Sequence, residues 1–152
     1  MTPKYLFPID GSEHALRVIQ HWLTEHPETS TAELHLINVQ LPVDGNVRTF
    51  VDADELNAYH RAEGEEALQA VRAWLDEGRV AYQHHILVGH PADIICRFAA
   101  EHDISEIVMG SHGRGGLLDR LLGSVAQEVQ DKATAPVAIV RDNDDGMQMR
   151  GS

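Results

Sequence analysis

The stretch that decides the fold runs IVMGSHGRGGLLDRLLGS from Ile107 to Ser124. Its apolar start predicts a buried strand, and the glycines that follow predict a tight turn. The closing pair Gly123-Ser124 predicts the start of another helix. Glycines let a backbone come close to a ligand, and the amides at a helix N-terminus bind phosphate oxygens. The stretch therefore predicts an anion site at the end of a strand, although glycines after a strand also serve a plain turn.

Short apolar strands alternate with amphipathic helices along the rest of the chain. Strands are predicted at 5–9, 33–39, 80–88, 106–109 and 136–141, and helices at 15–23, 54–77, 91–102 and 124–134. This alternation predicts an α/β fold, with a mostly parallel sheet and helices on both faces. The segment 80–88 alternates apolar and polar residues, which suits the edge of a sheet better than its centre.

Asp10 and Gly110 each follow a predicted strand, the first and the fourth. Ligands on such sheets bind beyond the carboxyl ends of the strands, where the winding reverses. If these two strands are neighbours, Asp10 and Gly110 frame one crevice. Asp10 has an alternative interpretation, because an aspartate at a strand end often only caps the next helix.

Composition limits the classes of protein that the chain can belong to. Its 152 residues and formal charge of −12 suit one acidic domain, here 1–142, and disfavour nucleic acid as a partner. The remainder, 143–152, is predicted to be a flexible acidic tail, and its last three residues are typical of a cloning remnant. No apolar run is long enough for a signal peptide or a membrane span, and Cys96 is alone. We therefore expect a cytoplasmic protein that is not embedded in a membrane.

Histidines are frequent, at ten in the chain, but no pattern predicts a metal site. His84 and His85 are neighbours on a predicted strand and point to opposite faces, so they cannot share a metal. His112 lies in the glycine turn and is interpreted as a turn residue.

The chain has no P-loop lysine pattern, and no nucleophile is paired with a base. We expect no enzyme, and at most slow, incidental ATP hydrolysis.

The spacing of Gly110, two residues, Gly113, nine residues and Gly123-Ser124 resembles the nucleotide-binding signature of the universal stress protein family. Other stretches resemble the same family up to about Arg141. They are PIDGS at 8–12, VGHP at 88–91, IVMGSHGRG at 107–115 and APVAIV at 135–140.

The resemblance implies a Rossmann-like open twisted sheet of five parallel strands in the order 3-2-1-4-5 that binds ATP, ADP or AMP, with Mg²⁺ as an optional companion. It places Asp10 at the ribose or adenine, Val39 in the adenine pocket and Gly110 near the ribose. The phosphates would lie at Gly113, Arg114, Gly123, Ser124 and Val125. The full set of implied nucleotide-binding residues is Pro8, Asp10, Val39, Met109, Gly110, His112, Gly113, Arg114, Gly123, Ser124, Val125 and Ala126.

Ala126 departs from the pattern, since many nucleotide-binding members have a hydroxyl there. One lost hydrogen bond weakens affinity by about 1 kcal/mol, so AMP or ADP would be tolerated better than ATP.

The resemblance further implies a stress-response regulator that acts through nucleotide-dependent conformation or oligomerisation. Dimers would form through the last strand (Val137, Ala138, Ile139 and Val140), and a higher oligomer or a regulated partner such as a membrane transporter is compatible with this. The alternative is a protein-interaction module with a vestigial nucleotide site, docking through the acidic face or the loop 40–51. A phosphotransfer or nucleotidyl enzyme is a weaker third option, because the lysine and the base are missing.

Overall fold

A computed structural model describes residues 2–43, 52–111 and 122–141 of the chain. Its strands are β1 (Lys4–Pro8), β2 (Glu33–Gln40), β3 (Gln83–Val88), β4 (Glu106–Gly110) and β5 (Val137–Val140). The α-helices are α1 (Glu13–Glu25), α2 (Ala53–Glu77), α3 (Pro91–Glu101) and α4 (Ser124–Lys132). A 3-10 helix at Pro27–Thr31, which the sequence did not predict, connects α1 to β2.

All recorded strand pairs are parallel, and the sheet order is β3-β2-β1-β4-β5. This confirms the predicted fold class and strand order. The winding reverses between β1 and β4, so the switch point lies where the first and fourth strands are neighbours. β3 is an edge strand, as its alternating sequence predicted, but it begins at Gln83 rather than at position 80.

Alternate residues of the central strands pack on opposite faces of the sheet, in two separate apolar clusters. α1 and α2 cover one face, where Phe7 and Leu36 are buried. α3 and α4 cover the other face, where Leu6 and Ile37 are buried. Because successive strand residues point to opposite faces, each continuous apolar run supplies both layers at once.

The helix starts carry local signals. Ser12 caps α1 by accepting the N–H of Ala15 at 3.1 Å, and Asp52 and Glu55 form a reciprocal capping box at the start of α2. Such caps satisfy amides that have no partner inside the helix. No helix of the described ranges is long and apolar enough to cross a membrane.

The β2–β3 register brings two histidines together. His85 pairs level with Ile37, and its Nε2 atom lies 3.0 Å from Nδ1 of His35. Burial, and then the charge that His35 can carry, lower the pKa of His85 to about 4. His84 lies on the other face, 3.7 Å from the Glu65 carboxylate, so the prediction that the two neighbours point apart is confirmed.

Candidate functional site

The hydrogen-bonded pairing between β1 and β4 is short. β1 pairs with β2 up to Pro8 and Ile37, whereas the recorded pairing of β1 with β4 ends at Leu6 and Ile107. The N–H of Ile9 donates to the Ile37 carbonyl at 2.8 Å. Since backbone groups alternate in direction along a strand, the nitrogen of Pro8 faces β4, and proline has no N–H to donate. The sheet can therefore open at its switch point, where α/β proteins place ligands.

Asp10 organises the turn that leaves β1. Its Oδ1 atom accepts hydrogen bonds from the Ser12 N–H at 3.0 Å and from the Ser12 hydroxyl at 2.6 Å. Gly11 makes the reversal with a φ of 87°. Ser12, and not Asp10, is the N-cap of α1, so Asp10 does not cap this helix itself. Its half-buried carboxylate holds Ser12 in place and lies at the carboxyl end of β1 beside the crevice. A ligand role for Asp10 stays a prediction.

Gly110 lies directly beneath α1. A Cβ atom added there would lie 2.7 Å from Cδ2 of His14 and 3.1 Å from Cγ2 of Val18. Ordinary carbon contacts are about 3.5–4.0 Å, so α1 could not pack as it does over any other residue. The glycine is needed for packing whether or not a ribose lies near it.

Gly123 joins the end of β4 to the start of α4. Its N–H donates to the Ser111 carbonyl at 2.6 Å, and its own carbonyl accepts the first helical bond, from Gln127 at 2.9 Å. The amide of Gly123 is therefore already engaged. The next amides, those of Ser124, Val125 and Ala126, lie in the first turn, where amides have no acceptor inside the helix. Any anion at this terminus would use those amides.

Several of the predicted nucleotide-binding residues also pack in the apolar core. The Ala126 and Met109 side chains are 2% and 7% exposed, within the cluster under α3 and α4. Val39 and Val125 pack partly buried against the same cluster, and Pro8 is half-buried. Because the methyl group of Ala126 points into the core, a ligand could meet this residue only through its backbone.

The predicted residues His112, Gly113 and Arg114 lie outside the described residues, as does the tail from 142 onward. The predicted nucleotide-binding roles of these three residues, including phosphate binding by Gly113 and Arg114, stay predictions.

Sequence reasoning missed Asn38, which is 3% exposed. Its Nδ2 donates to the Ile9 carbonyl at 2.8 Å, and its Oδ1 accepts from Nε2 of Gln40 at 2.7 Å. In a regular parallel ladder the Ile9 carbonyl would accept the N–H of Val39 instead. The signal was an asparagine inside the apolar run Leu34 to Val39, where an amide needs a partner.

A pocket of about 1070 Å³ opens beside Asn38, between the end of β2 and α2. Asp10 and Val39 line it together with Gln40, Tyr59 and others, so it adjoins the predicted crevice. Its charged lining residues among those described are Asp10, Glu63 and Glu66, all acidic. This wall favours ligand groups that donate hydrogen bonds over bare anions.

Cys96 was predicted to be a small apolar side chain without a reason for a low pKa. It is half-buried, and burial raises its thiol pKa. The thiol therefore stays protonated near neutral pH and is a poor nucleophile.

Comparison with known proteins decides the family. The profile of the Universal stress protein family matches residues 1–141. The chain belongs to this family. Among its relatives, the universal stress protein MJ0531 of Methanocaldococcus jannaschii is 33% identical over 145 residues, covering 91% of this chain and 81% of the relative.

Solved structures of family members share the fold. That of MJ0577 from M. jannaschii superposes with a TM-score of 0.73 at 30% identity, over 92% of this chain and 96% of the other. A universal stress protein from Archaeoglobus fulgidus was solved in complex with dAMP (TM-score 0.60, 23% identity, 91% and 97% covered). An Arabidopsis thaliana family protein was solved with AMP bound (TM-score 0.66, 18% identity, 91% and 90% covered). Another universal stress protein was solved with cAMP (TM-score 0.65, 22% identity, 91% and 97% covered).

Proposed function

We propose that this chain binds an adenine nucleotide across the carboxyl ends of β1 and β4 and acts as a stress-response regulator through its nucleotide-dependent conformation or assembly. The observation that carries the proposal is that the recorded pairing of β1 with β4 ends at Leu6, before Pro8, with a strand-end carboxylate on one side and a helix N-terminus on the other. Family members with AMP, dAMP and cAMP bound support the class of ligand.

The adenine is proposed to lie against the backbone of Val39. The N–H of Ile9 reaches the Ile37 carbonyl, so by alternation the N–H and C=O of Val39 also face the β1 side of β2. β1 ends at Pro8, and the Ile9 carbonyl accepts the Asn38 side chain. A donor and an acceptor on one residue complement the N1 and the 6-amino group of adenine.

The phosphates are proposed to lie at the start of α4. The helix dipole and the first-turn amides of Ser124 and Val125 supply positive potential there. The hydrogen bond from Gly123 to Ser111 holds this helix terminus beside the end of β4. The formal charge of −12 disfavours each added phosphate, so we expect AMP or ADP to bind better than ATP unless Mg²⁺ accompanies ATP.

The nucleotide is proposed to act as a regulatory ligand and not as a substrate for rapid turnover. β5 lies beside β4 at the sheet edge, and its residues are all half-buried apolar ones. A second copy added along this edge would cover it. β5 adjoins β4, so a nucleotide at the end of β4 can have different affinities for the monomer and for the assembled form. That difference would shift the equilibrium between the two forms. A cytoplasmic location and a regulated protein partner belong to the same proposal.

The test exploits the geometry at Gly123, whose φ of −63° and ψ of 158° suit the residue before a proline. Ser124 is the first helical residue, where proline is tolerated. Ser124→Pro removes one amide donor and the hydroxyl, whereas the matched control Ser124→Ala removes the hydroxyl alone. Calorimetric titration with AMP, ADP and MgATP measures the affinity, and circular dichroism checks that both variants fold.

A charge-assisted hydrogen bond is worth about 1.5–3 kcal/mol, so Ser124→Pro is expected to weaken binding at least tenfold. Ser124→Ala is expected to weaken it several-fold at most. Equal affinity of the wild type and the proline variant would refute the phosphate position. Absence of binding to the wild-type chain would favour the protein-interaction module with a vestigial site.

A further inference from the structure

Three histidines from three elements meet on the face of the sheet covered by α3. They are His35 on β2, His85 on β3 and His102 immediately after α3. The ring centres of His35 and His85 are 5.2 Å apart, and that of His102 lies 6.3 Å and 6.2 Å from them. His35 is 3% exposed, His85 is half-buried and His102 is exposed, so the cluster runs from the core to the solvent.

Hydrogen bonds fix which ring nitrogens carry protons. Nε2 of His35 lies 2.7 Å from the Glu33 carboxylate, and a carboxylate only accepts, so Nε2 is the donor and Nδ1 has a lone pair when the ring is neutral. Nδ1 of His102 lies 3.1 Å from the Phe98 carbonyl. It must therefore donate, which leaves the lone pair on Nε2. A carboxylate or carbonyl behind the imidazole is the arrangement that orients histidine ligands of metals.

One of the three histidine pairs already has the spacing that a tetrahedral ion requires, and the third ring lies farther out. With bonds of about 2.0–2.1 Å, two nitrogens on one zinc ion are about 3.3 Å apart and their ring centres about 5 Å apart. Nδ1 of His35 and Nε2 of His85 are 3.0 Å apart. We infer that His35, His85 and His102 form a site for a first-row transition-metal ion such as Zn²⁺, with a fourth position open to water.

Binding needs the ion to replace the hydrogen bond between His35 and His85, and it needs His102 to move. The His102 ring must approach the other two by about 1 Å to match the ring separation of a tetrahedral site. This side chain is exposed and belongs to the residue that caps the end of α3, where it packs against the Phe98 ring with the ring centres 3.8 Å apart. The lone pairs of His35 Nδ1, His85 Nε2 and His102 Nε2 form the bonds to the ion. The proton now on His85 Nε2 moves to its Nδ1, so no net proton is released.

A second cluster provides the contrast. Ligand atoms of His90, Asp93 and Glu128 lie within 4.8 Å of one another. The Lys132 ammonium, however, lies 3.1 Å from the Asp93 carboxylate and 2.9 Å from that of Glu128. These carboxylates already have a cation, which a metal would have to displace. At the histidine cluster the ion would instead replace the hydrogen bond between His35 and His85.

The experiment titrates Zn²⁺ into the full chain, purified without a histidine tag, stripped with a chelator and free of nucleotide. Affinity is measured by competition with a chromophoric chelator. Co²⁺ is added in parallel, because its visible absorption reports tetrahedral nitrogen ligands. The variants are His85→Gln and His102→Gln, and His90→Gln is the matched control in the second cluster. His102 is exposed, so its variant keeps the test valid if His85→Gln fails to fold.

The wild type is expected to bind one Zn²⁺ tightly, with at least a tenfold loss of affinity in His85→Gln and in His102→Gln and none in His90→Gln. Loss in His90→Gln alone would assign the ion to the second cluster and overturn the inference. Binding weaker than millimolar, or equal binding by all three variants, would overturn it as well. Nucleotide affinity is measured separately, so the outcome does not depend on the proposed nucleotide site.

Discussion

Replacing Gly110 by alanine tests whether α1 can pack only over a residue without a side chain. The new Cβ would lie 2.7 Å from Cδ2 of His14 and 3.1 Å from Cγ2 of Val18, an overlap of about 1 Å with the ring. His14 is buried, so the imidazole can yield only by shifting α1 or by leaving its rotamer. Overpacking of this kind costs about 1–3 kcal/mol, which for a chain of this length lowers Tm by about 2–10 °C.

Urea unfolding of the nucleotide-free chain measures the loss of stability. Gly78→Ala is the matched control, because the nearest atoms to its added Cβ lie at 3.6 Å or more, and it is expected to change stability by less than about 0.5 kcal/mol. Gly64→Ala would place its Cβ 2.5 Å from Cγ2 of Ile86, away from the crevice, and should also destabilise the fold.

A double variant with His14→Ala separates the two roles of Gly110. The cost of Gly110→Ala should shrink by about 1 kcal/mol or more when the ring is gone, as expected for residues in contact. An unchanged unfolding free energy in Gly110→Ala, or a cost that persists in full without His14, would refute the packing argument. A loss of nucleotide affinity in the folded variant would show that the glycine also matters to the ligand.

Three further predictions concern other parts of the fold. Asn38→Leu leaves the Ile9 carbonyl without its side-chain donor and should lower the unfolding free energy by about 1–3 kcal/mol; a neutral result in urea would exclude that role. Lys132 lowers the pKa of Asp93, and Lys132 together with His90 lowers that of Glu128. The stabilisation is therefore present at neutral pH and lost as pH falls through these lowered values. Lys132→Met should raise both midpoints in a carboxyl NMR titration, and unchanged midpoints would contradict the pairing. The Ser111 N–H donates to the Val140 carbonyl, so by alternation the N–H of Ile139 points away from β4, towards the open edge of the sheet. Ile139→Pro removes this donor and should convert a dimer into a monomer in sedimentation, whereas Ile139→Val should not. A monomeric wild type would contradict the proposed β5 interface.

The order of the strands was predicted through the family resemblance that the glycine signature carries, whereas the alternation of elements predicted only a mostly parallel sheet with helices on both faces. The start of β3 was not predicted correctly. Val80 and Tyr82 fit a strand pattern, but Arg79 adopts a φ of 58° and the Tyr82 hydroxyl donates to Asp76 at 2.8 Å. These residues therefore belong to the turn that ends α2. Alternation of apolar residues cannot distinguish a strand from a turn that packs against its own helix.

The parts of the site that the sequence did not predict depend on register. The pairing of Ile37 with His85 decides that His35 meets His85, and no local pattern encodes that offset. Asn38 was visible as a polar residue in an apolar run, yet its partner, the Ile9 carbonyl, is 29 residues away. The close contact between His14 and Gly110, which leaves no room for a side chain at Gly110, likewise exists only once α1 lies over β4.

Pro8 leaves β1 with one backbone donor fewer at its carboxyl end. Its nitrogen has no hydrogen atom to donate, and the recorded pairing of β1 with β4 ends two residues before it, where the fold offers room for a ligand. Any other amino acid at this position would restore a donor aimed at β4. A single substitution at this position therefore changes the number of donors that β1 presents to β4, with the rest of the sheet unaltered.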